Sequence, residues 1–273
     1  MELSSRGVDL HVTDQGSGRP LVMISGWTFG ASVFDRNVER LAAGHRVVTV
    51  DLRGHGGSAG VGHGWDIPTA AADVAALLSE LDLDGAVLVG WSMGAQVAVH
   101  TALSHPGLSH PGALAGLVLI DMTPRVLAED GWPHAAFGGL TAEAAFGIAD
   151  GFQRDREATG GELLPSFFAS PPDEETAGHF GTDHGRCPTE AVVSYLASMG
   201  AQDLRGRATE IAVPTLVLTG AESAVYPSNP GSWWAEELPD ATSQVIPDAG
   251  HALFWEQPDA FADAVEGFTA RLG

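Results

Sequence analysis

Five short stretches of this chain are continuously apolar or β-branched: PLVMISG (20–26), RVVTVD (46–51), AVLVG (86–90), AGLVLID (115–121) and PTLVLTG (214–220). A strand that alternates polar and apolar residues can face water on one side. One that does not alternate must be covered on both sides, as the central strands of a parallel sheet are. Helical stretches separate the runs, at 32–42, 69–81, 93–104, 233–238 and 258–271. VDLHVTD (8–14) alternates, and SQVIPD (243–248) is shorter and reads as an outer strand. The succession predicts an α/β fold, a mostly parallel sheet with helices on both faces. In the helix at 69–81, Ala72, Ala75, Ala76 and Leu77 are expected to form the packed face.

One segment breaks this rhythm. From about 122 to 205 no buried-strand run occurs, and Trp132, Phe137, Phe146, Phe152, Phe167, Phe168, Phe180 and Tyr195 are scattered among Gly and Pro. A structureless loop of that length does not fit a compact domain. The segment therefore reads as a helical cap (122–205) inserted into a core formed by 1–121 and 206–273. A chain of 273 residues is long enough for both. The one internal repeat, LSHPG at 103–107 and 108–112, follows a helix and reads as a surface turn, with no role expected for His105 or His110.

Charge narrows the choice of partners. The formal net charge is −22, and all thirteen basic residues are Arg. Such a surface repels phosphate backbones and anionic lipid, so neither nucleic acid nor membrane is an expected partner. No window approaches ~20 consecutive apolar residues, and the opening MELSSRGVDLHV lacks the pattern of a signal peptide. The single cysteine, Cys187, excludes an internal disulfide. A cytoplasmic monomer or homodimer is the expected setting. No CxxC, HExxH or paired-carboxylate pattern suggests a metal. Neither a GxGxxG strand–helix junction nor a GxxxxGK loop suggests a nucleotide cofactor, and DLRGHGGS (51–58) lacks the Lys that such a loop needs.

The strand-like AVLVG runs directly into WSMG and then into a helical stretch. G-x-S-x-G between a strand and a helix forces a sharp turn that holds the serine strained and exposed above the sheet. Ser92 is thus the candidate nucleophile, with the N-terminus of the next helix favouring developing negative charge. A serine hydroxyl needs a base. Of the eleven histidines, His251 alone follows the last predicted strand and precedes the last helix. That is the place of the base in a Ser…acid…His order.

SGW (25–27), DLRGHGGS (51–58), GWSMG (90–94), PTLVLTG (214–220) and AGHALFWEQPDAF (249–261) occur together in this order. By these pieces the chain resembles the α/β-hydrolase superfamily, in the branch of small cytosolic esterases, lactonases and perhydrolases. The resemblance implies an eight-stranded sheet with the cap after the sixth strand. It also implies backbone oxyanion donors at Trp27 and Met93. Two departures stand out. The resemblance implies, for most of the family, an aspartate three residues after the glycine ending the seventh strand, where this chain has Ser223, and for some members an acid at the end of the sixth strand. Many also have His-Gly where Ser25-Gly26 stands here. Two carboxylates remain as the acid: Asp121, ending the sixth strand, and Glu222, beside the usual position. Asp121 is the preferred one, although it could instead cap a helix after Pro124 or pair with Arg125. Arg53 and His55 are expected to brace loops.

The expected substrate is a small, largely apolar ester, lactone or acyl compound in a pocket walled by Trp27, Trp132, Phe137 and Phe146. Arg125, Arg154, Arg156 and Arg186 are the available counter-charges for an anionic one. Two other readings remain open: a lyase, cyclase or perhydrolase using the same residues, and a hydrolase-like ligand receptor.

Overall fold

A computed structural model of the chain describes residues 2–5, 7–104 and 113–272. His105, His110 and nearly all of the LSHPG repeat lie outside the described residues. The strands are β1 (Glu2–Ser5), β2 (Val8–Gly16), β3 (Arg19–Ile24), β4 (His45–Val50), β5 (Ala86–Trp91), β6 (Leu114–Ile120), β7 (Thr215–Gly220) and β8 (Ala241–Ile246). They pair in the order β1-β2-β4-β3-β5-β6-β7-β8. β2 to β8 form one continuous ladder, and β1 extends its edge as a hairpin partner of β2. The β1–β2 and β2–β4 pairings are antiparallel and the rest parallel.

Every residue of β5 and β7 is buried. The cause is visible in the two core layers. Val22, Ile24, Val48 and Leu88 pack on one side of the sheet, with α2 (Ile67–Glu80) and α3 (Met93–Ser104). Leu21, Met23, Val47 and Val89 pack on the other, with α1 (Asp35–Ala42) and residues from beyond β8. Side chains alternate faces along a strand, so a strand covered twice is apolar at every position. β8 at the far edge is exposed at Thr242–Val245, as an outer strand should be.

Between β6 and β7 no strand occurs among the described residues. The segment instead holds α4 (Ala142–Arg154), α5 (Arg156–Leu163), α6 (Glu174–Arg186) and α7 (Thr189–Ala201). Thr141, Asp155 and Asp173 cap α4, α5 and α6 by accepting a first-turn N–H, each worth about 1 kcal/mol. α8 (Gly231–Glu237), α9 (Leu253–Glu256) and α10 (Pro258–Thr269) complete the core.

The face of α2 differs from expectation. Ile67, Ala70, Ala71, Asp73, Val74, Leu77 and Leu78 are buried, whereas Ala72, Ala75 and Ala76 are half-buried. Alanines all around a helix give little hydrophobic contrast, and the larger Ile, Val and Leu side chains decide which stripe packs. Asp73 is in that stripe because it meets Arg53 in a buried ion pair. No helix among the described residues is long and apolar enough to cross a membrane.

Candidate active site

Ser92 sits between β5 and α3 with φ 52°, in the left-handed region. That conformation is strained for a side chain and persists only where the surroundings impose it. They do so here. A Cβ on Gly90 would lie 2.3 Å from the Gly94 carbonyl oxygen, and one on Gly94 would lie 2.2 Å from that of Ile24. The start of α3 is thus pressed against the ends of β5 and β3. The Ser92 N–H donates to the Ile120 carbonyl at 2.9 Å, tying the turn to the end of β6.

Asp121 follows β6 and repeats the pattern. Its φ is 44° and its N–H donates to Leu218 of β7 at 2.7 Å. Two neighbouring parallel strands therefore deliver Ser92 and Asp121 to the same edge of the sheet. His251 arrives from the loop after β8. Its carbonyl accepts from the Trp91 indole N–H at 2.9 Å, and the Ala252 N–H donates to Phe167 of the insert at 2.8 Å.

His251 Nδ1 lies 2.6 Å from Asp121 Oδ2, and the two residues are 2 % and 0 % exposed. With the carboxylate as acceptor, the neutral imidazole is the tautomer with its proton on Nδ1 and its lone pair on Nε2. Ser223 donates its hydroxyl to the same Oδ2 at 2.6 Å and accepts from the Tyr226 N–H at 3.1 Å. Ser223, at the end of β7, is thus a hydrogen-bond donor to the carboxylate at the end of the neighbouring strand β6. Glu222 is exposed. Arg125 pairs with Glu129 at 2.8 Å and Asp203 at 3.6 Å.

Ser92 and His251 line one cavity; among the described residues no hydrogen bond joins them. Such contacts commonly tighten only when substrate is bound. The loop carrying Trp27 passes directly beside the serine, since a Cβ on Gly26 would lie 3.2 Å from that of Ser92. Neither the Trp27 nor the Met93 backbone N–H has an acceptor among the described residues.

The DLRGHGGS segment braces that loop. Asp51 accepts from the Ala31 N–H at 2.6 Å and from the Gly57 N–H at 2.7 Å. Arg53 holds Asp73, with one contact at 2.8 Å. His55 donates from Nδ1 to the Arg53 carbonyl at 3.0 Å and accepts the Thr28 N–H on Nε2 at 3.1 Å. Burial pushes its pKa down to about 4. A folded pKa below the unfolded value of ~6.5 stabilises the fold above pH 6.5, and this is lost as pH falls toward 4. His184, also pushed down to about 4, acts in the same direction. Asp183 and Glu256, raised by burial, act in the opposite one. Urea unfolding should show wild type losing about 2–3 kcal/mol more between pH 7 and 4.5 than His55→Gln does. Parallel curves would remove His55 as the cause.

The cavity at Ser92 is narrow, about 60 Å³, and lined by Trp27, Phe137, Leu163, Phe167, Leu196 and Val225 among others. A larger one of about 660 Å³ shares Trp27, Phe29, Leu163 and Phe167 and continues between α5 and α6. Of the four expected pocket residues, Trp27 and Phe137 line the cavity at Ser92, and Trp132 and Phe146 do not. The Trp132 indole donates to the Arg125 carbonyl at 2.8 Å and its ring packs edge-on against Trp233. Phe146 faces solvent on α4 at 74 % exposure. Phe29, Phe167, Met199 and Tyr226 also line the cavity at Ser92. Only Phe167 stood among the aromatics singled out in the insert.

Residues 21–264 match the Alpha/beta hydrolase family. The pimeloyl-[acyl-carrier protein] methyl ester esterase of Chromobacterium violaceum is 31% identical over 262 residues, covering 94% of this chain and 97% of that protein. The structure of the esterase EaEST from Exiguobacterium antarcticum superimposes with a TM-score of 0.91 at 25% identity, over 99% of both chains. The enol-lactonase from Burkholderia xenovorans LB400 shares the fold, with a TM-score of 0.81 at 22% identity over 99% of this chain and all of that one. On the extent of these matches, the chain belongs to the alpha/beta hydrolase family.

Proposed function

We propose that the protein is a serine hydrolase that cleaves a carboxylic ester, lactone or related acyl bond of a small, largely apolar substrate through an acyl-enzyme. The observation that carries this reading is the buried Asp121–His251 pair, 2.6 Å apart, opening on the cavity that holds Ser92. In this reading Ser92 Oγ attacks the carbonyl carbon while His251 Nε2 takes its proton. Asp121 holds the imidazole in the required tautomer and stabilises the imidazolium. The Trp27 and Met93 N–H groups receive the oxyanion; removing one such donor costs about 3–4 kcal/mol of transition-state stabilisation. His251 then protonates the leaving alcohol, and water deprotonated by His251 releases the acyl group.

The apolar lining and the net charge of −22 favour a neutral substrate. Segment 122–205 acts as the cap, since Leu163, Phe167, Leu196 and Met199 of that segment line the cavity at Ser92. The cytoplasm suits a chain whose one cysteine leaves no internal disulfide to form.

A fluorophosphonate probe followed by peptide mapping tests the reading. Stoichiometric labelling at Ser92, absent in Ser92→Ala, together with turnover of p-nitrophenyl esters is the expected result. A folded wild type that neither labels nor turns over would overturn it in favour of a non-hydrolytic enzyme or a receptor.

A further inference from the structure

The loop that carries Trp27 is held from below by the core and from above by the insert. Thr28, the next residue, has φ 74°, a strained value for a β-branched side chain. Such a residue keeps its conformation only when its surroundings over-determine it. Its N–H goes to His55 Nε2, and its hydroxyl pairs with Nδ1 of His184 on α6 at 2.8 Å. Two residues on, the Gly30 N–H donates to Oδ2 of Asp183, also on α6, at 2.5 Å. Asp183 is 3 % exposed. Gly30 is wedged between two carboxylates: a Cβ there would lie 2.8 Å from Asp51 Oδ1 and 3.0 Å from Asp183 Oδ1. The Trp27 indole itself donates to the Val192 carbonyl of α7 at 2.8 Å.

We propose that Asp183 and His184, consecutive on α6, are positioning residues for the oxyanion hole: they hold the 28–30 segment so that the Trp27 N–H meets the developing oxyanion. The proposal rests on the serine hydrolase reading, with Trp27 as a donor. It makes the insert part of the catalytic frame as well as a wall of the pocket. Core contacts alone leave the Thr28 hydroxyl and the Gly30 N–H without partners. Losing either bond lets the strained turn relax and carries the Trp27 N–H away from its position. The oxyanion develops only in the transition state, so a displaced Trp27 N–H is expected to lower kcat rather than raise KM.

The test is steady-state kinetics on a p-nitrophenyl ester with wild type, Asp183→Ala, Asp183→Asn and His184→Phe. Affinity for a trifluoromethyl ketone, whose adduct places an oxyanion in the hole, is measured beside it. A misplacement of about 1 Å costs on the order of 10²-fold. Asp183→Ala should therefore lose about 10- to 100-fold in kcat and in ketone affinity, with KM changed less than about threefold. Asp183→Asn keeps an acceptor oxygen for the Gly30 N–H and should recover to within about fivefold of wild type. His184→Phe should lose about tenfold in kcat. Should Asp183→Ala fail to fold, His184→Phe carries the test. Wild-type kcat and ketone affinity in folded Asp183→Ala or His184→Phe would overturn the proposal, and so would a rise in KM alone. A wild type inert to ester and fluorophosphonate would overturn the hydrolase reading itself, and the proposal with it. An active wild type with unaffected variants overturns only the proposal.

Discussion

Asp121→Asn should lower kcat by about 10³- to 10⁴-fold and leave the fold intact. The carboxylate accepts two hydrogen bonds on Oδ2, from His251 and from Ser223, each at 2.6 Å. Asparagine matches its shape but not its charge. If its amide nitrogen faces His251, the imidazole must put its proton on Nε2 and can no longer accept the serine proton. If its oxygen faces His251, the tautomer survives, but the imidazolium formed during attack loses its counter-charge. Both orientations reduce the rate, and neither introduces bulk. Glu222→Gln should stay within about twofold of wild type, because an exposed carboxylate with solvent around it contributes little. Circular dichroism and thermal melts separate folding from catalysis, and single-turnover release of p-nitrophenol reads the acylation step. Full activity in Asp121→Asn, or equal losses in both variants, would remove Asp121 from its role.

How much of this was legible in the sequence depends on what places each residue. Ser92 and Asp121 are placed by the ends of buried strands, and His251 by the loop that follows the outer strand β8. Strand ends can be read from continuous apolar runs, because a doubly covered strand has no polar alternation to blur it. The pocket wall was harder. The helices of the insert turn one face to the core and another to water, and aromatic content alone does not say which. Phe146 and Phe152 lie six residues apart on α4, yet one is 74 % exposed and the other 2 %. Trp132 is drawn away by a carbonyl and a second indole. The brace between Asp183 and Gly30 spans 153 positions and leaves no local pattern. β1 escaped notice because ELSS has neither an apolar run nor alternation, and only its pairing with β2 makes it a strand.

The position proposed for the acid gives the sharper experiment. Ser223 Oγ and His251 Nδ1 both lie 2.6 Å from the same oxygen, Asp121 Oδ2. An aspartate at 223 extends one atom beyond the serine hydroxyl, toward that shared point. It inherits the Tyr226 N–H as a donor, which steadies its charged form. Ser223→Asp added to Asp121→Asn should therefore restore kcat by about 10- to 10³-fold over Asp121→Asn alone. Alone in the wild type the same change should harm. Two carboxylates within hydrogen-bonding distance share one proton, and one of them titrates upward. Ser223→Asp should thus lose about tenfold or more near neutral pH and regain activity as pH rises and the shared proton leaves. One substitution then lowers activity in one background and raises it in the other, an interaction that two independent effects cannot produce. A double variant no better than Asp121→Asn would mean that position 223 cannot reach the imidazole. The acid would then be tied to the end of β6 by geometry, and not by a choice between two equivalent strand ends.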